Sequence, residues 1–63
     1  MDHVIRAIVQ SVPGIGNHRA TEIMFEAHFY GVALVTSAPL ELAELYRDRL
    51  QTFGLTATIE RGD

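Results

Sequence analysis

The sequence predicts a small α/β domain of the two-layer α+β kind, in the order helix, helix, strand, helix, strand. Three stretches repeat apolar residues at the helical period, and two short β-prone runs, residues 32–36 and 55–60, follow the second and third stretches. A length of 63 residues has room for one domain only. With 48% hydrophobic and 21% charged residues, the composition is typical of a globular fold. We therefore expect residues 1–63 to form a single domain with helices on one face of an incomplete sheet.

The first two predicted helices are separated by a Pro-Gly-Ile-Gly turn at residues 13–16, because proline and glycine interrupt helices. Asp2 is the expected cap of the first helix. The second is expected to run from the cap Asn17 to Gly31 at its C-terminal end. Each helix has one apolar stripe that should face the core. The stripes are Val4, Ile5, Ile8, Val9 and Val12 in the first helix, and Ala20, Ile23, Met24 and Ala27 in the second.

A strand, a third helix and a second strand complete the predicted order. Residues 32–36 form the first β-prone run, and the third helix starts at Pro39, a residue tolerated at a first helical position, and is closed by Gly54. Residues 55–60 alternate apolar and polar side chains. Strands joined by one helix form a right-handed crossover and should be parallel. Because two strands make a poor sheet, a third strand or a second molecule is expected to complete the pairing.

The composition excludes several classes of partner. Five arginines against eight acidic residues give a net charge of -3, so neither nucleic acid nor an anionic membrane is expected to bind. The longest apolar run, residues 32–35, is far shorter than the ~18 residues of a membrane span. The chain has no cysteine and therefore no disulfide or thiolate metal site, which is compatible with a reducing compartment. We expect a cytoplasmic protein.

No residue pattern points to catalysis. The Gly-Ile-Gly sequence at 14–16 lacks a third glycine at the dinucleotide spacing and follows a helix rather than a strand. The histidines at positions 3, 18 and 28 have no metalloprotease-like spacing. We therefore expect no enzymatic activity, no metal and no cofactor.

Met24 and His28 are the most informative pair, since residues four apart lie on the same edge of a helix. Two interpretations remain open: a small pocket at the rim of the core, or a core-edge methionine beside a half-buried, hydrogen-bonded histidine. Phe25 and Phe29 lie on the opposite side, where another element covers them or they form an exposed aromatic contact.

Three stretches carry a family resemblance. They are Ala20-Thr21-x-Ile23-Met24-x-x-Ala27-His28-x-x-Gly31-x-Ala33-x-Val35, then Glu41-x-Ala43-Glu44, then Gly54-Leu55-x-x-Thr58-Ile59-Glu60. The pattern resembles the core domain of the ClpS family, the adaptors of the bacterial and plastid Clp protease. That family's fold is strand, two helices, strand, helix, strand. The resemblance therefore implies the predicted order above with the family's first strand missing.

The resemblance also implies a function. ClpS-like adaptors bind substrates with bulky hydrophobic N-terminal residues, called N-degrons, and deliver them to the ATP-dependent Clp protease without catalysis of their own. Position by position, it implies His28 as the ligand of the substrate's amino group. It implies a hydrophobic pocket lined by Met1, Val4, Met24, Ala27 and Leu55. Glu41 matches an acidic position that docks on the N-terminal domain of the Clp ATPase.

Three departures from the family pattern affect these expectations. An Asn-Asp pair that shares the amino group with the histidine precedes the position of Met1 in the family. We therefore expect weaker amine binding by these 63 residues than by a chain with that pair. Ala27 replaces a common valine, which should enlarge the pocket, and Tyr46 stands where many members have the basic docking residue.

A second resemblance is to the C-terminal domain of the ribosomal large-subunit stalk protein. That domain shares the Gly-x-Gly turn, Ala-Glu in a late helix and Gly-Leu before a last strand, but it binds translation factors through lysines, and this chain has no lysine. The alternative function is therefore an interaction module of this stalk-like kind, or a homodimer formed through an unpaired strand edge or through Phe25 and Phe29, without an N-degron pocket.

Overall fold

Three helices make up the regular structure of the chain. The computed structural model describes residues 2–61, and its helices are α1 (Asp2–Ser11), α2 (Asn17–Tyr30) and α3 (Leu40–Thr52). Each lies where the apolar periodicity predicts a helix. None of the helices in this described range is long and apolar enough to cross a membrane.

The predicted α/β fold is wrong, because neither predicted strand forms between residues 2 and 61. Residues 32–36 and 55–60 are extended, and every second side chain is half-buried, as in a strand. However, no backbone–backbone hydrogen bond in this part of the chain joins the two segments. A strand needs a hydrogen-bonded neighbour as well as one buried face. The alternating pattern correctly predicted which side chains are buried, but it could not predict whether a hydrogen-bonded neighbouring strand is present.

The helix ends differ slightly from their predicted positions. Asn17 is the first residue of α2, and Gly16 occupies the N-cap in an extended conformation. Similarly, Pro39 is the N-cap of α3 rather than its first residue. Gly31 ends α2 as predicted, in the left-handed conformation with φ of 84°.

The hydrophobic core forms where α1 packs against the other two helices. No Cα atoms of α2 and α3 lie within 8 Å of each other in the described chain, whereas α1 approaches both. The centre of the core consists of Ile8, Ala20, Ile23 and Leu50. Alternate residues of the extended segments, Ala33, Val35, Leu55 and Ala57, pack against its margin. The two segments therefore lie on the helices rather than on each other.

Two long-range hydrogen bonds fasten α1 to the end of α3. The His3 imidazole Nε2 lies 2.7 Å from the Phe53 carbonyl oxygen, and the two rings meet edge to face at 6.1 Å. Arg49 Nη1 donates to the Ser11 carbonyl oxygen at 3.4 Å. Both ends of α1 are thus connected to α3.

Ser11 is the buried polar residue of this core. Its side chain is fully buried, and its hydroxyl has no hydrogen-bond partner among residues 2–61. An unpaired buried hydroxyl destabilises a fold because it has lost its hydrogen bonds to water.

We predict that Ser11→Ala raises the free energy of unfolding by about 1 kcal/mol, because it removes the unpaired hydroxyl and favours the helix. Urea denaturation followed by circular dichroism measures the change. Ser37→Ala, at an exposed position outside the helices, is the matched control and should leave the midpoint unchanged. A lower midpoint for Ser11→Ala would mean that the hydroxyl has a partner.

Candidate functional site

A groove of about 1470 Å³ lies between the three helices and the segments that follow α2 and α3. It is lined by side chains of all three helices and by both extended segments, together with the residues that flank them. Most of the lining side chains are apolar. The volume exceeds the ~300–1,000 Å³ of typical small-molecule pockets. A groove of this size and composition suits part of a polypeptide better than a metabolite.

Five of the six residues implied in substrate binding line this groove. They are Val4 of α1, Met24, Ala27 and His28 of α2, and Leu55 after α3. The sixth, Met1, lies outside the described residues. Residues that are distant in sequence thus reach one surface, because both α2 and α3 pack against α1.

Met24 and His28 occupy different depths on the same helix edge. Met24 is 7% exposed and belongs to the core, whereas His28 in the last turn of α2 is exposed. The His28 ring rests edge-on against Phe29, with ring centroids 5.2 Å apart. No hydrogen bond or ion pair of the imidazole occurs among residues 2–61. The half-buried, hydrogen-bonded histidine of the second interpretation is therefore not what the structure contains.

The end of α2 places His28 beside the groove. Gly31 adopts φ of 84°, and its N–H donates to the Ala27 carbonyl oxygen at 2.9 Å. This left-handed residue ends the helix and directs the chain into the extended segment that follows. Arg19 of α2 also contacts this segment: its guanidinium donates a hydrogen bond to the Leu34 carbonyl oxygen at 3.3 Å.

Few charged groups line the groove. Its ionisable residues other than His28 and Tyr46 are Arg47, Glu60 and Arg61. Arg47 is paired with Asp48 at 3.0 Å. Glu60 is thus the one carboxylate among the lining residues. Within residues 2–61, no three His, Asp or Glu side chains are close enough together to hold a metal ion.

Glu41 lies on a separate surface. It is exposed in the first turn of α3, where a negative charge is favourable to the helix, and it does not line the groove. Tyr46, where the resemblance implies a basic docking residue, is half-buried and lines the groove. Five residues along a helix correspond to a rotation of about 140°, which explains why the two side chains diverge.

Sequence reasoning left two surfaces undecided or unnoticed. Phe25 and Phe29 are exposed and stack on each other, with centroids 6.1 Å apart and planes 15° from parallel. The sequence predicts a small pocket near Met24 and His28, whereas the groove is larger and includes both extended segments. The missing third strand noted in the sequence is the signal that these segments lack a partner.

Comparison with known proteins gives one consistent match. The family model described as "ATP-dependent Clp protease adaptor protein ClpS" matches residues 1–58. A protein of Synechococcus elongatus named "ATP-dependent Clp protease adapter protein ClpS" is 38% identical over all 63 residues of this chain. Proteins of the same name from Gloeobacter violaceus and Corynebacterium jeikeium are 40% identical over 60 residues and 41% identical over 56 residues.

These relatives are longer than the present chain. The alignments cover 100%, 95% and 89% of this chain but 66%, 64% and 55% of the respective relatives. No solved structure matches the chain.

We predict that Gly31→Ala lowers the free energy of unfolding by about 1–2 kcal/mol, because alanine is strained at a left-handed φ. No heavy atom beyond the adjoining residues lies within 4 Å of the added methyl carbon, so the cost is one of backbone conformation alone. Gly31→Asn is the control, since asparagine tolerates this conformation and should lose less stability. Equal losses in urea denaturation for both variants would contradict the explanation.

Proposed function

The chain belongs to the ClpS family, and from that premise we propose that it is a non-enzymatic adaptor that brings substrates with bulky hydrophobic N-terminal residues to an ATP-dependent Clp protease. The observation that carries the proposal is the position of Met24 and His28, one helical turn apart among the residues that line one apolar groove. The proposed location is the cytoplasm, where ATP is available to such a protease.

The substrate's first side chain would lie against Met24 and Ala27. The Met24 thioether is flexible and polarizable and adapts to differently shaped apolar groups. Ala27 is small and leaves room beside it. Val4 and Leu55 add half-buried apolar surface from other parts of the chain. Burying a Leu-sized or Phe-sized side chain contributes roughly 1.5–3 kcal/mol to binding.

The substrate's amino group would bind at His28. A neutral imidazole has one nitrogen that accepts a hydrogen bond, and an ammonium group donates three. Such a charge-assisted hydrogen bond contributes about 1.5–3 kcal/mol. Among the described lining residues, Glu60 is the one carboxylate, and it belongs to the second extended segment. The expected affinity is therefore modest.

Delivery to the protease would use the other side of α3. We assign Glu41 as a contact to the N-terminal domain of the Clp ATPase, because it is exposed and outside the groove. Substrate and ATPase can then bind at the same time, as an adaptor requires. Tyr46 faces the groove and supplies no positive charge to the docking surface.

A second candidate is a homodimer without a peptide pocket. It is favoured by the exposed, stacked rings of Phe25 and Phe29 and by exposed Val32 and Leu34 in the following segment. Exposed apolar surface of this kind marks interaction sites. Under this alternative the chain would not discriminate a free from an acetylated peptide terminus. The family match favours the adaptor over the stalk-like resemblance.

We predict that His28→Ala weakens binding of a peptide with N-terminal Leu or Phe about tenfold, since the amino group loses its hydrogen-bond acceptor. Fluorescence anisotropy with a C-terminally labelled peptide measures the dissociation constant. His18→Ala is the matched control: its side chain is 94% exposed, at the other end of the same helix.

An N-acetylated copy of the peptide completes this experiment. It should bind the wild-type chain at least tenfold more weakly and be insensitive to His28→Ala. Equal binding of free and acetylated peptides would refute recognition of the amino terminus.

We predict that Glu41→Gln weakens binding to an isolated Clp ATPase N-terminal domain two- to fivefold, as expected for the loss of one exposed charge contact. The loss should shrink as salt is added, because exposed charges are screened. Surface plasmon resonance provides the measurement, with Glu22→Gln on α2 as the control variant. An unchanged affinity for Glu41→Gln would remove this residue from the docking surface.

A further inference from the structure

The outward side of α3 carries an exposed apolar spot made by two leucines. Leu42 and Leu45 are three residues apart and are therefore neighbours on the helix surface. They are 43% and 42% exposed, and neither lines the groove. The α3 residues that do line the groove are Leu40, Ala43, Tyr46, Arg47 and Leu50. The spot thus lies apart from the surface that α3 shares with the extended segments, and its exposure does not depend on whether those segments are paired.

Three carboxylates border the leucine spot. Glu41, Glu44 and Asp48 are exposed and project from the same side of α3 as Leu45, at helical spacings of three and four. Like charges at these spacings destabilise a helix. Asp48 is paired with Arg47 at 3.0 Å. Within residues 2–61, Glu41 and Glu44 take part in no ion pair.

The carboxylates of α2 are arranged differently. Arg19 Nη1 lies 3.7 Å from Glu22 Oε1 and 3.3 Å from Glu26 Oε1. That helix therefore balances its negative charges itself, whereas α3 presents unbalanced ones beside apolar surface. Complementary charge is what matches one protein surface to another. The surface of α3 is complementary to an apolar hollow bordered by lysine or arginine side chains.

We propose that Leu42 and Leu45 insert into an apolar hollow on the N-terminal domain of the Clp ATPase, and that Glu41, Glu44 and Asp48 pair with basic residues around that hollow. This inference rests on the proposed function, which assigns only Glu41 to the contact. The leucines supply affinity, because their exposed apolar surface leaves water. The carboxylates speed association and exclude acidic partners.

The first test removes the apolar contact. Leu45→Ser should weaken binding of the 63-residue chain to the isolated ATPase domain about three- to eightfold, as expected for the two-fifths of a leucine side chain that is still exposed. Surface plasmon resonance provides the dissociation constant. The loss should be the same at low and high salt, because the contact is uncharged. Leu40→Ser is the matched control: Leu40 is 63% exposed on the same helix but lines the groove, and its replacement should leave the affinity unchanged.

The second test reverses a charge at the border of the spot. Glu44→Lys should weaken binding about tenfold at low salt, because it sets a positive charge against a basic partner. The loss should shrink as salt is added. Glu22→Lys on α2 changes the net charge of the chain by the same amount. It is the control for long-range attraction and should have a much smaller effect.

Substrate binding separates the possible failures. Leu45→Ser and Glu44→Lys should bind a peptide with N-terminal Leu as tightly as the wild-type chain does, with unchanged circular dichroism. The inference is overturned if either variant binds the ATPase domain like wild type, or if Leu40→Ser loses as much affinity as Leu45→Ser. Those results leave the adaptor function and the contact at Glu41 intact. If the wild-type chain does not bind the domain, the proposed function fails together with the inference.

Discussion

The packing of α1 against both other helices is the contact on which the rest of the structure depends. Ile8 of α1 meets Ala20 and Ile23 of α2 and Leu50 of α3 in one core. The backbones of α2 and α3 do not approach each other in the described chain, whereas both pack against α1. Side chains of all three helices line the groove. His28, at the end of α2, and Leu55, after α3, both belong to that surface.

The helices were predictable because each of their signals is local. Apolar spacing of three and four, the Pro-Gly turn at 13–14 and Gly31 at a helix end act within a few residues of each other. The strand prediction for the other two segments was wrong because strand formation depends on a signal that is not local. Ala33, Val35, Leu55 and Ala57 do alternate against the core, but pairing requires a neighbouring backbone, which side-chain pattern does not encode.

The candidate site was predictable in part. Met24 and His28 follow from helical spacing, and their neighbours Val4 and Leu55 follow from the family resemblance. The sequence alone could not predict how deeply each of these side chains is buried. Both members of the pair lie on one helix edge, yet Met24 is in the core and His28 is exposed. Burial depends on which elements cover a helix, and here no described element covers the end of α2. The same reason leaves Phe25 and Phe29 uncovered.

The hydrogen bond between His3 and Phe53 joins residues fifty positions apart, and Leu50 supplies the last part of the core. A ribosome produces a chain from its N-terminus at about 5–20 residues per second. During synthesis, α1 and α2 therefore emerge with their shared surface open on the side that α3 will cover. The nascent α1–α2 hairpin therefore stays incomplete until Leu50 is added, and any product that stops before residue 50 lacks the side chain that closes the interior.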